Sequence, residues 1–288
     1  MSTAPTERKK NTILSIQKKK DNHLPISMLT AYDASSAALT DAAGVDMILV
    51  GDSLGMVMLG YETTLPVTME DILLHCRSVA RTASTALLVG DLPFMSYQVS
   101  KEQAVQNAGR LLQEGGMDAV KLEGGRPRAE SIRAIVESGI PVMGHLGLTP
   151  QSVHQLGGFR LQGSNAAAAR QLLKDALLLE SCGCFSIVLE MVPEQVARLV
   201  SSRLRIPTIG IGAGAGCDGQ VLVYHDLLGF FNRPKLKFVK KCLDLYPLIQ
   251  QALQAYIKDV QTGQFPAPEN TSSMSEDEWL EFLKSLDE

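Results

Sequence analysis

The 288-residue sequence predicts an α/β fold: a (β/α)8 TIM barrel with a short N-terminal helix and an appended C-terminal amphipathic helix. Three observations carry this expectation. Short, nearly continuous apolar runs recur along the chain, as strands buried on both faces require. Helix signals fill the segments between them, and repeated β-then-α order gives either an open doubly wound sheet or a closed barrel. Polar residues then fall at the C-terminal ends of many different strands, which favours the barrel, whose strand ends converge on one mouth, over a sheet with a single switch point.

The strand candidates, in order, are SMLTAYD (27–33), MILVGD (47–52), ALLVGD (86–91), AVKLEGG (119–125), PVMGHLGL (141–148), FSIVLEMV (185–192) and PTIGIGAG (207–214). Between them, Thr68 with Asp71 and Ser100 with Gln103 stand three residues apart just before apolar periodic runs, the spacing of a capping box. Pro193 opens VPEQVARLVSSRL, where a first-turn proline is tolerated. An eighth strand is harder to place. GQVLVYHD (219–226) has strand propensity but follows IGIGAG too closely for a crossover helix. Either 218–229 holds that helix and the last strand lies at 236–239, or the geometry there is irregular.

Residues 1–267 read as one barrel domain and 268–288 as an acidic extension, helical from 275. In that extension Ser275 and Glu278 have capping-box spacing, and Trp279, Leu280, Leu283 and Leu286 form an apolar stripe suited to docking on this or a neighbouring subunit. Two connections are long for a barrel, SLGMVMLGYETTLPV after Asp52 and GLTPQSVHQLGGFRLQGSN after His145, and long loops at such a mouth often cover or bind ligands.

Composition bounds the function. A chain that is 45% hydrophobic and 20% charged is ordinary for a globular protein. Its formal net charge of −4 speaks against a nucleic-acid partner, and no apolar run is long enough to span a bilayer. The basic N-terminus lacks the apolar core of a signal peptide and reads as a short helix with a solvated lysine face. The five cysteines lack CxxC spacing, so free, buried thiols in a reducing cytoplasm are expected.

The strand ends carry the chemistry. Asp52, Asp91 and Glu123 are three carboxylates on three successive strand ends. One alone reads as a helix cap. Converging, they repel one another unless a cation compensates, and an all-oxygen donor set suits Mg2+. Lys121 lies two residues before Glu123, so both point to the same face of one strand and Lys121 offers positive charge to an anionic substrate. An internal salt bridge is the plainer alternative for it. Glu190 ends a strongly apolar run, surroundings that raise a carboxyl pKa towards the range of a general base. His145 is placed to donate a hydrogen bond or move a proton, or to serve as a satisfied structural histidine. His75, His154 and His225 are assigned no catalytic part. GIGAGAG (210–216) matches a dinucleotide fingerprint, but it comes late and opens no clear helix, so a tight strand-end turn explains it better.

These segments together resemble the ketopantoate hydroxymethyltransferase family, also called 3-methyl-2-oxobutanoate hydroxymethyltransferase. The resemblance rests on TAYD (30–33), LVGDSLGM (49–56), TLPVTMEDI (64–72), DLPFMSY (91–97), VKLEGG (120–125), GHLGLTPQSV (144–153), VLEMVP (188–193) and IGIGAG (209–214), in order over roughly residues 10–267. It implies a Mg2+-dependent barrel enzyme of pantothenate biosynthesis. Its co-substrate is 5,10-methylenetetrahydrofolate, and it converts 3-methyl-2-oxobutanoate to 2-dehydropantoate with release of tetrahydrofolate. Carried over motif by motif, Asp52 and Asp91 are metal ligands and Glu123 belongs to the metal site, directly or through water. Asp52, Ser53, Asp91 and Lys121 surround the keto acid, and Glu190 accepts the proton. The resemblance further implies a homo-oligomer, the family including decamers. The competing enzyme reading is a Mg2+-dependent carbon–carbon lyase of the phosphoenolpyruvate mutase and isocitrate lyase type. Those lyases commonly use a loop cysteine, and neither long loop here has one. A non-catalytic keto-acid-binding barrel would have no use for a base at position 190.

Overall fold

The computed structural model describes residues 8–232 and 236–286. Eight strands close in sequence order into a parallel barrel. They are β1 (Ile26–Thr30), β2 (Met47–Val50), β3 (Leu87–Asp91), β4 (Ala119–Glu123), β5 (Val142–Gly147), β6 (Ser186–Glu190), β7 (Thr208–Ile211) and β8 (Gly219–Leu222). β8 pairs with β1 through Ile26↔Gly219 to Leu29↔Leu222, which closes the ring.

Strand alternation divides each strand between two cores. One face turns outward to the surrounding helices: Ile48 and Val50, Leu88, Val120 and Leu122, Val142, Ile187 and Leu189 pack there against residues such as Leu73, Leu111, Ile132 and Leu179. The other turns inward, where Met28, Met47, Leu49, Leu87, Val89, Ala119, Met143, Val188, Ile209 and Val221 fill the lower barrel. Continuing the inward series by two residues at a time leads from Val89 to Asp91, from Ala119 to Lys121 and Glu123, from Met143 to His145, and from Val188 to Glu190. On β3 to β6 the barrel interior is therefore oil below and charge above, and the switch is written into the sequences of those four strands.

Helices form where the caps allow. Thr68 and Asp71 make a reciprocal capping box on Met69–Ala80, and the Gln103 N–H donates to Ser100 at the start of Lys101–Gln113. The N-terminal helix, Ile13–Asp21, inserts the fully buried Ile16 into the lower barrel. Its lysines differ from the solvated face expected. Lys19 pairs with Asp46 at 2.6 Å and Lys20 with Asp218 at 2.8 Å, while Lys10 reaches Asp118 at 2.8 Å, so the helix is pinned across the barrel floor.

β8 corrects the first of the two alternatives for the chain's last strand. It begins at Gly219, only eight residues after Ile211, without a crossover helix, and 236–239 form a turn instead. The connection is the tight turn expected of the glycine-rich stretch, with Gly212 and Gly214 at φ of 63° and 75°, a region that favours glycine. Both long loops contain short helical pieces, Leu54–Val57 in the first and Pro150–Ser152 with Val153–Leu156 in the second.

Among the described residues the chain forms two compact units, one of residues 8–227 and 236–241, the other of 228–232 and 242–286. The second contains the helices Leu245–Thr262 and Glu276–Ser285. The latter starts where the capping signal placed it, the Glu278 N–H donating to Ser275 Oγ, and its Trp279, Leu280, Leu283 and Leu286 are exposed. Of the five free thiols, Cys76, Cys182 and Cys184 are buried as expected, Cys217 is half-buried and Cys242 is exposed. No helix among the described residues is long and apolar enough to cross a membrane.

Candidate active site

The barrel mouth gathers Asp52, Asp91, Lys121, Glu123, His145 and Glu190 into one network. Register explains much of it: Asp91 pairs across to Lys121 and Glu123 to His145 on neighbouring strands. The Lys121 ammonium donates to both Asp91 oxygens at 2.7 and 2.6 Å. The Asp52 N–H donates to Asp91 Oδ2 at 3.3 Å, so the acids at the tops of β2 and β3 adjoin. His145 stands between two carboxylates, its Nδ1 at 3.4 Å from Glu123 and its Nε2 at 3.3 Å from Glu190. Those contacts are ion pairs rather than well-aligned hydrogen bonds.

Glu190 is held by its backbone. Gly147, at φ 95°, lets β5 pass so close that a Cβ there would lie 2.1 Å from the Glu190 carbonyl oxygen. That approach allows the Leu148 N–H to donate to the same oxygen at 2.8 Å. Met191 follows at φ 48°, a region non-glycine residues seldom occupy. The Glu190 carboxylate faces the His145 imidazole and is 17% exposed, because β6 ends at the mouth.

Burial sets the electrostatics. Asp52, Asp91, Lys121, Glu123 and His145 are all buried. Burial pushes the Asp52 carboxyl well above its ordinary range, and the charges of Asp91 and Glu123 push it further. Burial also raises the Asp91 carboxyl, against the pull of Lys121. Burial opposes the charge on Lys121, but Asp91, Glu123 and Asp52 outweigh it and hold the ammonium above its usual value. His145 behaves likewise: burial favours the neutral ring, yet Glu123 and Glu190 raise it to about 9.

The donor set fits a hard divalent cation. Asp52, Asp91, Glu123 and Glu190 oppose only Lys121 and a charged His145, which leaves two negative charges in excess when all are ionised. Burial first, and the neighbouring acids after it, raise the Asp52 and Asp91 carboxyls, so gathering these charges is costly. The donors are oxygens, the set Mg2+ prefers. Among the described residues, no group of three or more His, Cys, Asp or Glu side chains is placed to hold a metal ion as it stands, so the fit rests on the chemistry of the donors. Hydrogen bonds hold several of these oxygens instead, and bound waters complete many Mg2+ sites.

Ser53 lies at the edge, its hydroxyl 2.8 Å from that of the buried Tyr32. Asp33 belongs elsewhere: it caps the helix Ala34–Ala42 in a reciprocal box with Ser36. His75 lies in the helix Met69–Ala80, His154 in the short turn Val153–Leu156 and His225 in Tyr224–Leu228.

Two residues of the network escaped the sequence reading, Gln151 and Tyr97. The Gln151 side chain donates to Asp52 Oδ2 at 2.9 Å and to the Leu92 carbonyl at 3.0 Å, and its N–H donates to Glu123 Oε2 at 3.0 Å. The Tyr97 hydroxyl donates to Gln151 Oε1 at 2.7 Å and accepts from the Glu123 N–H at 3.1 Å. Both lie in loops leaving strand tops and inside the family-like segments DLPFMSY and GHLGLTPQSV, the signals that could have found them.

Comparison with known proteins bears on this arrangement. Residues 10–268 match the family model described as ketopantoate hydroxymethyltransferase. The 3-methyl-2-oxobutanoate hydroxymethyltransferase of Syntrophus aciditrophicus (strain SB) is 58% identical over 267 residues, covering 92% of this chain and 97% of that protein. That of Chloroflexus aggregans is 53% identical over 279 residues, 97% of this chain and 99% of the relative. Among solved structures, phosphoenolpyruvate phosphomutase from Streptomyces platensis subsp. rosaceus superposes with a TM-score of 0.60 at 16% identity, covering 96% of this chain and all 100% of that one. A 2,3-dimethylmalate lyase of the PEP mutase/isocitrate lyase superfamily gives 0.56 at 13% identity, over 95% and 98% of the two chains. At such identities the structural likeness concerns the fold alone.

Proposed function

The chain belongs to the ketopantoate hydroxymethyltransferase family, and on that premise we propose how its barrel mouth works and with what partners. The reaction transfers a hydroxymethyl group from 5,10-methylenetetrahydrofolate to 3-methyl-2-oxobutanoate, giving 2-dehydropantoate and tetrahydrofolate. The observation that carries the assignment is the charge imbalance at the mouth: buried acids outnumber the cations that face them.

Asp52 and Asp91 would hold Mg2+, and Glu123 would complete the site directly or through water. A cation there would supply Lewis-acid chemistry, polarising the 2-oxo group of the keto acid and acidifying the hydrogen at C3. Lys121 places a fixed positive charge beside the same region and favours the negative charge that develops as the proton leaves. Glu190, on the opposite side of the ring of strands from Asp52, takes that proton. Its carbonyl is pinned by Leu148 and its carboxylate is faced by His145, so both ends of the base are oriented. Ser53, with Tyr32 behind it, offers a hydroxyl to the substrate carboxylate. The C3 carbanion attacks the folate methylene, and water completes the hydroxymethyl group as tetrahydrofolate departs.

The exposed apolar faces of Leu245–Thr262 and Glu276–Ser285 support a homo-oligomer, and the free thiols support a reducing cytoplasm. A direct test is exchange of the C3 hydrogen of 3-methyl-2-oxobutanoate with D2O, followed by NMR without folate. Mg2+-dependent exchange is expected, and no exchange at any Mg2+ concentration contradicts the mechanism. Folate-dependent consumption of the keto acid separates it from a carbon–carbon lyase, which needs no folate.

A further inference from the structure

We propose that Gln151 is a positioning residue of the cation site, fixing the Asp52 and Glu123 carboxylates in one frame from the root of the loop that follows β5. The inference rests on the reading of these acids as metal-holding, and it concerns a residue with no place in that reading so far.

Gln151 is 4% exposed, and both side-chain polar atoms and its main-chain N–H are engaged. The direction of its amide is forced. Nε2 lies between two acceptors, the Asp52 carboxylate and the Leu92 carbonyl, the latter able only to accept. Oε1 lies between two that donate, the Tyr97 hydroxyl at 2.7 Å and Gln98 Nε2 at 3.3 Å. A flipped amide would set donor against donor and acceptor against acceptor. The main chain of the same residue reaches Glu123 Oε2, so one loop position restrains carboxylates from β2 and β4 at once. Leu92, its third partner, directly follows Asp91.

The chemistry of the amide explains why it suits this place. Lysine or arginine could also donate to Asp52, but would supply the positive charge that a cation brings and so compete with it. An amide holds the carboxylate while leaving its charge intact. Asp52 Oδ2 is fixed in this way, and Oδ1 remains as its second oxygen. Because bonds to ionised groups are the stronger ones, their loss shows in cation affinity.

The test is titration of the full-length protein with Mn2+, read by EPR, for the wild type, Gln151→Met, Tyr97→Phe and the double variant. Methionine keeps the volume and removes the amide. Phenylalanine leaves Gln151 in place and removes the hydroxyl that directs it. Gln151→Met is expected to weaken Mn2+ binding about tenfold or more, and Tyr97→Phe about threefold. The double variant should fall short of the product of the two, since Tyr97 acts partly through Gln151. Melting temperatures recorded alongside separate folding from positioning: a lower melting temperature with Mn2+ affinity within about twofold of wild type overturns the proposal. Independent, fully multiplying effects overturn the coupling through Tyr97. If Gln151→Met does not fold, the Tyr97→Phe titration decides by the same criterion. Failure of the wild type itself to bind Mn2+ overturns the metal reading of the acids, and this inference with it.

Discussion

The two ends of the barrel use the same residue type in opposite ways. On the floor, Asp46, Asp118 and Asp218 each stand one residue before a strand, and each has its own lysine from the N-terminal segment. Each also accepts an N–H from a neighbouring strand, at Ser27, Leu88 and Thr208. At the mouth, Asp52, Asp91 and Glu123 are buried around a single lysine, whose bonds go to Asp91. Floor acids matched one to one with lysines close the structure. Mouth acids in excess of the cations facing them are what supports the proposed Mg2+ site.

The contrast extends to proton affinity. Asp41, another floor acid, accepts bonds from residues 84–86 just before β3. Burial opposes its charge, but the N–H groups of Ser84 and Ala86 outweigh it and hold its carboxyl below the ordinary value. Asp52 and Asp91 are displaced the other way.

The sharpest way to probe the mouth is to remove its base. Glu190→Gln should slow C3 exchange with D2O by about 1,000-fold, the range of general base catalysis, while keto acid and Mg2+ still bind. Unimpaired exchange in that variant would remove Glu190 from the mechanism. Next in size are paired substitutions at the two ends, compared in chelator by chemical denaturation. Asp218→Ala removes the carboxylate that accepts from Thr208 and Lys20 and should cost about 1–3 kcal/mol. Asp52→Asn removes a repelled, buried charge and should be neutral or stabilising by about 1 kcal/mol. Equal losses at both ends would erase the distinction.

How far these ends could be read in advance depends on where each residue's position is determined. Asp91, Lys121, Glu123, His145 and Glu190 extend an inward-facing series already visible as alternation, so strand pattern alone brings them to the mouth. β8 was obscured because the expectation of a helical crossover fails when two glycines at positive φ turn the chain directly. Gln151 was obscured for a different reason. Its partners lie on other strands and loops, and only the path of the loop after β5 brings them together. The pairing of Lys10, Lys19 and Lys20 depends on where the N-terminal helix docks, which its own lysine run does not disclose.

Smaller effects refine the comparison through pH. Burial opposes the charge on His145, but Glu123 and Glu190 raise it from an ordinary 6.5 to about 9, so its contribution to stability is complete below about 6.5 and is lost as pH rises through 9. Asp41, lowered from 3.8, contributes above that value and loses its contribution as pH falls through its depressed one. Melting temperature against pH should therefore lose its alkaline limb in His145→Gln and its acid limb in Asp41→Asn. A smaller change still is expected of Ser53→Ala, which removes one hydroxyl from the substrate's surroundings. It should raise KM for the keto acid about fivefold with kcat nearly unchanged.

The most direct measurement of the central claim is the Mg2+-induced shift in melting temperature across both ends of the barrel, since a ligand bound only by the folded state raises it. Mg2+ should stabilise the wild type and Asp46→Asn alike, and should do little for Asp52→Asn or Asp91→Asn. A wild type indifferent to Mg2+, or a full shift surviving in both mouth variants, would contradict the account.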